Sequence, residues 1–237
     1  KLRYTRGMIV YGKQIVFSIL EKHPSIVEEI FLTKEIEPKL FRKFMDVGAK
    51  VIRPDNKKAQ ALAKGGNHQG FLLKIKPYEF ATIEDIKKKD FIVVLDGLSD
   101  VGNIGAIIRT AYALGADAIV VSGLKNLNVA PVVRTSSGAM LDMPVAEVHN
   151  PNDLMNELKQ LKFTLVGADM DGVEVTTLQR QKGQKIALFL GSEGDGLSGK
   201  VKKKLDLKVS IDMSNNFDSL NVSVAAGILI HSLIKIK

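Results

Sequence analysis

The sequence predicts an α/β fold in two parts, a small one followed by a larger one, and three observations carry that prediction. The apolar run Phe91-Ile92-Val93-Val94 leads into a Gly/Asp/Asn-rich loop and then a helical pattern that stops at Gly115, an order of strand, loop and helix. Residues 186–197, IALFLGSEGDGL, repeat the design of an apolar strand ending in a glycine-rich turn. Ahead of both, residues 7–75 alternate helical and strand periodicities on a smaller scale.

In chain order, residues 14–20 carry a helical stripe and Ile30-Phe31-Leu32 a short strand. Residues 38–47 read as a helix, 50–53 as a strand, 60–63 as helical and 71–75 as a last strand. Residues 76–90, KPYEFATIEDIKKKD, combine a proline, mixed charge and a lysine run, the composition of a linker. Within it, 83–86 has the pattern of one helical turn. The expected boundaries are a first domain at 1–75, a linker at 76–89 and a second domain at 90–237. Arg134 and Ser136-Ser137-Gly138 follow Pro131 in a loop-like segment that suits either a ligand contact or an ordinary helix start. Near the end, the polar run Ser214-Asn215-Asn216-Phe217-Asp218-Ser219 enters a helix at Leu220-Asn221. Small polar residues there cap free N–H groups. Residues 222–233 are apolar on nearly every side, the pattern of a helix buried all round.

At 237 residues the chain can bury one substantial core, or a small domain beside a medium one. A net charge of +8 favours an anionic partner, because Lys and Arg release counterions from nucleic acid; plain solubility accounts for the same number. There is no cysteine, which excludes disulfides, thiolate metal sites and a cysteine nucleophile. The C-terminal apolar stretch is too short and too interrupted by Ser and His to span a bilayer. With no basic-then-apolar leader at the start, the expectation is a cytoplasmic protein without a membrane.

Three polar, glycine-bearing loops at strand ends suggest one assembled site, since α/β sheets bind ligands outside the carboxyl ends of their strands. Neither of the first two loops has phosphate-loop or G-x-G-x-x-G spacing. The residues that remain are specific. Asp100, Asn103, Gly105, Ala106, Arg109 and Thr110 form a first motif, and Gly191-Ser192-Glu193-Gly194 with Gly196-Leu197 a second. Ile211, Met213 and the run 219–227, SLNVSVAAG, form a third. In order and spacing these resemble the SpoU (TrmH-type) branch of the SPOUT superfamily, the trefoil-knotted RNA ribose 2′-O-methyltransferases that use S-adenosylmethionine. Val101 and Asp212 stand where that family usually has proline. The first domain is similar to the small α/β domain like ribosomal protein L30e that precedes the knot in 23S ribosomal RNA guanosine 2′-O-methyltransferases. Tyr11-Gly12-Lys13 and His68-Gln69-Gly70 carry that likeness, although His68 fits a structural turn residue equally well. Lys13, Arg42, Lys43, Arg53, Lys57, Lys58 and Lys64 offer a phosphate-gripping face or an ordinary solvated one.

The resemblance implies roles for particular residues. Arg109, Asn103, Glu193, Ser219 and Asn221 match catalytic and ordering positions, and Glu193 is the expected partner of Arg109, since a carboxylate holds a guanidinium bidentately. Gly191, Ile211, Leu220 and Met213 match positions that hold S-adenosylmethionine. Gly194 and Gly196 suit turn positions as well as ligand contacts. No histidine lies in the three loops, and a guanidinium has no site to accept a proton, so Arg109 reads first as an electrostatic clamp, with a base role requiring a strongly depressed pKa. No metal is implied. The implied partners are RNA, 23S ribosomal RNA first and transfer RNA as the alternative, and a second copy of the chain in a homodimer. A non-catalytic RNA-binding factor of the same fold is the reading from another class.

Overall fold

Residues 7–214 and 219–235 are described by the computed structural model, and they fall into two units. The first joins Lys1–Glu79 with Val129–Gly138, and the second joins Phe80–Asn128 with Ala139–Lys237. The loop residues Asn215, Asn216, Phe217 and Asp218, singled out in the sequence, lie outside the described residues.

In chain order the first unit begins with β1 (Met8–Tyr11), α1 (Lys13–Lys22), β2 (Val27–Leu32) and α2 (Pro38–Asp46), then β3 (Lys50–Ile52), α3 (Asn56–Leu62) and β4 (Phe71–Ile75). Its sheet has the order β1-β4-β2-β3. Strand β4 is antiparallel to both its neighbours, and β2 and β3 are parallel. Phe17, Phe44 and Phe71 pack ring on ring beside that sheet, with centroids 5.4–6.2 Å apart. Helix α3 starts four residues earlier than its apolar pattern because Asp55 caps it, accepting from the Lys58 N–H at 2.7 Å. Of the four residues gained, Asn56, Lys57 and Lys58 are polar and a single alanine, Ala59, gives no periodicity to read.

The second unit opens with α4 (Ile83–Lys87), closed by a reciprocal capping box between Thr82 and Asp85, so the expected single turn is a short capped helix. Then come β5 (Phe91–Asp96), α5 (Val101–Leu114) and β6 (Ala118–Ser122). Helix α6 (Val129–Thr135) belongs to the first unit, after which α7 (Ala139–Asp142), β7 (Val145–Val148), α8 (Pro151–Gln160) and β8 (Phe163–Glu174) follow. The chain ends with β9 (Lys185–Gly191), α9 (Gly199–Lys202), β10 (Leu207–Ser210) and α10 (Val222–Ile234).

Six strands pair in the order β10-β8-β9-β5-β6-β7, every pair parallel. Parallel strands need crossovers that cover the sheet faces, so the central strands are apolar up to their last residues, Asp96 and Ser122; every residue of β5 and β6 is buried. Helix α5 buries Ile104, Ile107, Ile108 and Ala111, the i, i+3, i+4, i+7 stripe of one face. Asp100 caps its start, accepting from the Asn103 N–H at 2.7 Å, and Gly115 ends it in a left-handed conformation, φ 87°.

Two expectations are corrected. Helix α10 is not buried all round: Val222, Ala226, Leu229, Ile230 and Leu233 are buried, but Val224 and Ile228 are 51% and 36% exposed. Arg134 is not at a helix start but in the last turn of α6, with its guanidinium 4.5 Å from the centroid of the Tyr11 ring and bonded to the Tyr11 hydroxyl.

Buried Arg180 joins three parts of the second unit. Its Nε donates to Gln184 O at 2.9 Å, Nη2 to Asp90 O at 3.3 Å and Nη1 to Ile234 O at 3.5 Å, while the guanidinium lies 5.5 Å from the Phe91 ring centroid. The Ile234 carbonyl is at the negative end of α10, where a cation is favoured. Replacing Arg180 with Ala strands these acceptors and should destabilise the protein by about 2–4 kcal/mol. Urea unfolding would check it; a change within about 0.5 kcal/mol, the range of an ordinary surface substitution, would show that the arginine is dispensable.

Candidate active site

Because all six strands of the second unit run the same way, the loops after β5, β8, β9 and β10 open on one edge of the sheet. The turn after β9 is tight: Ser192 and Gly196 exchange backbone bonds at 3.2 and 3.0 Å. Gly191 must be glycine there, since a Cβ would lie 2.1 Å from the Gly196 carbonyl carbon. Gly196 has φ 65°, a left-handed turn position, whereas Gly194 meets no such constraint. Buried Asp96, at the end of β5, accepts from the Ser198 N–H at 2.9 Å and so ties this loop to the neighbouring strand.

A single carboxylate oxygen joins three distant segments. Glu193 Oε1 accepts from Asn221 Nδ2 at 2.6 Å, from Asn103 Nδ2 at 3.3 Å and from the Val222 N–H at 3.3 Å. Asn221 Nδ2 also donates to Asn103 Oδ1 at 3.0 Å. Asn221 Oδ1 in turn caps α10, accepting from the Ser223 N–H at 2.9 Å. An anion at a helix N-terminus is stabilised by the unpaired N–H groups and the dipole there. Sequence reading expects Glu193 to hold Arg109; the bonds described for its Oε1 come from amides. Arg109 stands exposed on α5, nearly two turns beyond Asn103.

Beside this clasp lies an open cavity of about 950 Å³. Gly191, Ile211, Met213 and Leu220, the four residues matched to donor binding, all line it, as do Ser219 and Glu193. Asn103, Asn221 and Arg109 are not among its lining residues. Neither are His149 and His231: the first bonds Leu124 O at 3.2 Å and the second meets Lys235 at 3.0 Å. The lining also includes residues that sequence reading missed, Asp169, Met170 and Lys202. Lys208 chiefly, and also Lys202, hold the Asp169 carboxyl below the usual carboxylate range against the opposing effect of its burial. The stabilisation that this lowering represents is complete above the ordinary value of 3.8 and is lost as pH falls through the lowered one. No sequence signal links these three groups, which come from three different elements.

In the first unit, the structure brings together the two segments that carry the likeness there. The Gly12 N–H donates to Phe71 O at 3.0 Å, and the Lys13 N–H to Gln69 Oε1 at 2.9 Å. His68 is buried, with Nδ1 accepting from the Gly70 N–H at 3.1 Å, which is a turn role. Lys13, Arg42, Lys43, Arg53, Lys57, Lys58 and Lys64 are all exposed. Among the described residues no group of His, Asp or Glu is disposed to hold a metal ion, and no helix is long and apolar enough to cross a membrane.

The chain resembles known proteins in sequence and in fold. The profile of the SpoU rRNA Methylase family matches residues 90–231, and that of RNA 2′-O ribose methyltransferase substrate binding matches residues 9–81. An uncharacterized tRNA/rRNA methyltransferase of Borreliella burgdorferi is 34% identical over 215 residues, covering 85% of this chain and 92% of that protein. The 23S rRNA (guanosine-2′-O-)-methyltransferase RlmB of Haemophilus ducreyi is 29% identical, covering 96% and 97%. Among solved structures, the SpoU methyltransferase AviRb from Streptomyces viridochromogenes in complex with AdoMet has a TM-score of 0.77 at 25% identity, covering 94% of this chain and 88% of that one. With the strand-end loops, the cavity and the Asn103–Glu193–Asn221 clasp in place, this chain belongs to the SpoU rRNA methylase family.

Proposed function

We propose that this chain transfers a methyl group from S-adenosylmethionine to a ribose 2′-hydroxyl of RNA, with a guanosine of 23S ribosomal RNA as the target. The observation that carries the reading is the cavity itself. Its volume is within the range of small-molecule sites, and Gly191 after β9 and Ile211, Met213 and Leu220 between β10 and α10 converge on it from two separate loops. Main-chain groups fixed by strand ends suit a ligand that must be held in one orientation. The donor supplies an electrophilic methyl on a sulfonium. The protein has to align the attacking oxygen with it and offset the negative charge that develops as the hydroxyl loses its proton.

Glu193, Asn103 and Asn221 serve as ordering groups in this scheme, because their bonds lock the three loops to one another. Arg109 is the electrostatic clamp. Its planar fork can bind a hydroxyl and an adjacent phosphate together, which an ammonium cannot. RNA as substrate is supported by the family match of the first unit and by its exposed cations. Guanosine in 23S ribosomal RNA is supported by the likeness to RlmB, and a transfer RNA target by the tRNA/rRNA description of the Borreliella relative. Mapping 2′-O-methylation in ribosomal and transfer RNA from cells with and without the gene separates the two. The family's trefoil-knotted threading is part of the same reading, supported by the match of residues 90–231 to the SpoU rRNA Methylase family.

Arg109→Ala and Arg109→Lys should each lower single-turnover methylation by about hundredfold or more. Donor affinity and melting temperature should stay near those of the parent, because Arg109 is exposed and lies outside the cavity lining. Near-normal transfer by Arg109→Ala would remove it from the mechanism.

A homodimer is the expected assembly. Val224 and Ile228 are one turn apart on α10, and Tyr112, 44% exposed, is on α5, against which α10 packs. Apolar groups left open on two adjacent helices suit a self-complementary interface. Sedimentation should give about twice 25.9 kDa, and Val224→Glu with Ile228→Glu should give a monomer. A parent chain that is monomeric at micromolar concentration and still methylates RNA would defeat the assignment.

A further inference from the structure

The parallel ladder also brings the loops after β6 and β7 to the edge of the sheet on which the cavity opens. The first of these, residues 123–128 (GLKNLN), is anchored on both sides. The Gly97 N–H donates to Ser122 O at 2.9 Å, and the Gly123 N–H donates to Val148 O at 3.3 Å. Gly123 has φ 75°, and a Cβ there would crowd the Gly97 nitrogen at 3.2 Å. The loop therefore starts in contact with the one that leads into α5. Further along, Glu147 Oε1 accepts from the Leu127 N–H at 2.6 Å, the His149 ring donates from Nδ1 to Leu124 O at 3.2 Å, and Leu127 is buried. Ties at this density hold the backbone to one path, so the side chains left over project from fixed points.

Those side chains are Lys125, Asn126 and Asn128, all exposed. Lys125 is in no ion pair with a described residue. The acids of this part of the edge are already engaged. Asp100 accepts from the Asn103 N–H at 2.7 Å, Asp153 accepts from Asn150 Nδ2 at 2.8 Å, and Glu147 holds the loop itself. Around the cavity, under β8, β9 and β10, the balance is reversed. Asp169, Glu174, Glu193, Asp195 and Asp212 line it beside Lys202 alone. Phosphates of an RNA strand are repelled at that end and attracted at the other. A strand whose ribose is presented to this edge thus has a favoured way to leave it, over β6 and β7.

We infer that residues 123–128 are an RNA-reading loop of the second unit, with Lys125 gripping a backbone phosphate and Asn126 and Asn128 reading base edges beside the target ribose. The inference rests on reading the chain as an RNA methyltransferase. An ammonium is a point charge suited to one phosphate, whereas a carboxamide both donates and accepts and so matches a base edge.

The test uses the full chain with in vitro transcribed 23S ribosomal RNA. Binding is measured over a range of salt, with single-turnover methylation, calorimetry of S-adenosylmethionine and a melting curve in parallel. Lys125→Ala should weaken RNA binding several-fold and lower the slope of log affinity against log salt by about one, the loss of one phosphate contact. Lys125→Arg should keep the parent slope. Asn126→Ala with Asn128→Ala should raise the KM for RNA by about fivefold or more, with the slope unchanged. Donor affinity and melting should stay at parent values in all three, because the positions are exposed and outside the cavity lining. A parent-like slope and RNA affinity in Lys125→Ala, or a parent-like KM for RNA in the double asparagine variant, would overturn the inference and leave the proposed activity standing. A parent chain that binds this RNA without methylating it would remove the activity instead, and the slope of Lys125→Ala would still decide whether the loop grips RNA. A parent chain that binds no RNA would remove both.

Discussion

Six strands that all point one way impose a constraint from which the rest of the second unit follows. A parallel ladder cannot be closed by tight hairpins, so each strand is followed by a crossover, and each crossover begins on the same edge of the sheet. Three of those beginnings, after β5, β9 and β10, supply the capped start of α5, the Gly191 turn and the approach to α10, and Asp169 within β8 lines the same cavity as the last two. Buried on both faces, the sheet is rigid, and loops anchored to it inherit that rigidity. Glu193 Oε1 completes the arrangement by collecting amides from two other segments.

Local chemistry was legible in the sequence wherever one short stretch decides the structure. Asp100 and Gly115 mark the two ends of α5, and β4 falls on the apolar residues that indicate it. The cavity's family-matched residues also come together as their motifs imply. What stayed hidden depends on partners far along the chain. The length of β8 is masked by the polar run Ala168-Asp169-Met170-Asp171-Gly172, because an excursion from a ladder has the composition of a loop. Asp169 finds Lys202 and Lys208 only through the fold. Helix α10 illustrates the opposite error: near-uniform hydropathy suggests burial on every side, yet Val224 and Ile228 face outward in the single chain. Hydropathy alone does not distinguish a core from a surface awaiting a partner.

The charge distribution divides the labour between the two units. Exposed Lys and Arg of the first unit are spread over helices and loops, the arrangement for a long polyanion recognised by shape and phosphate. Around the cavity acids outnumber cations, with Asp169, Glu174, Glu193, Asp195 and Asp212 lining it beside Lys202. Glu193 is held by amides and Asp169 by two lysines.

Helix α6 has a consequence for how the chain is made. Its residues lie between two stretches of the second unit, yet they pack with the first, where Arg134 stacks on Tyr11 and Gly138 approaches Ile15. The polypeptide therefore passes between the units three times, after Glu79, after Asn128 and after Gly138. During synthesis the first unit cannot acquire its last helix until the ribosome has also delivered β5, α5 and β6. The usual expectation that an N-terminal domain folds to completion before the next emerges does not hold for this chain. For the same reason, a protease cut near residue 80 would leave two fragments still interlocked by α6, and a fragment beginning at residue 90 would carry a helix stripped of its packing partner.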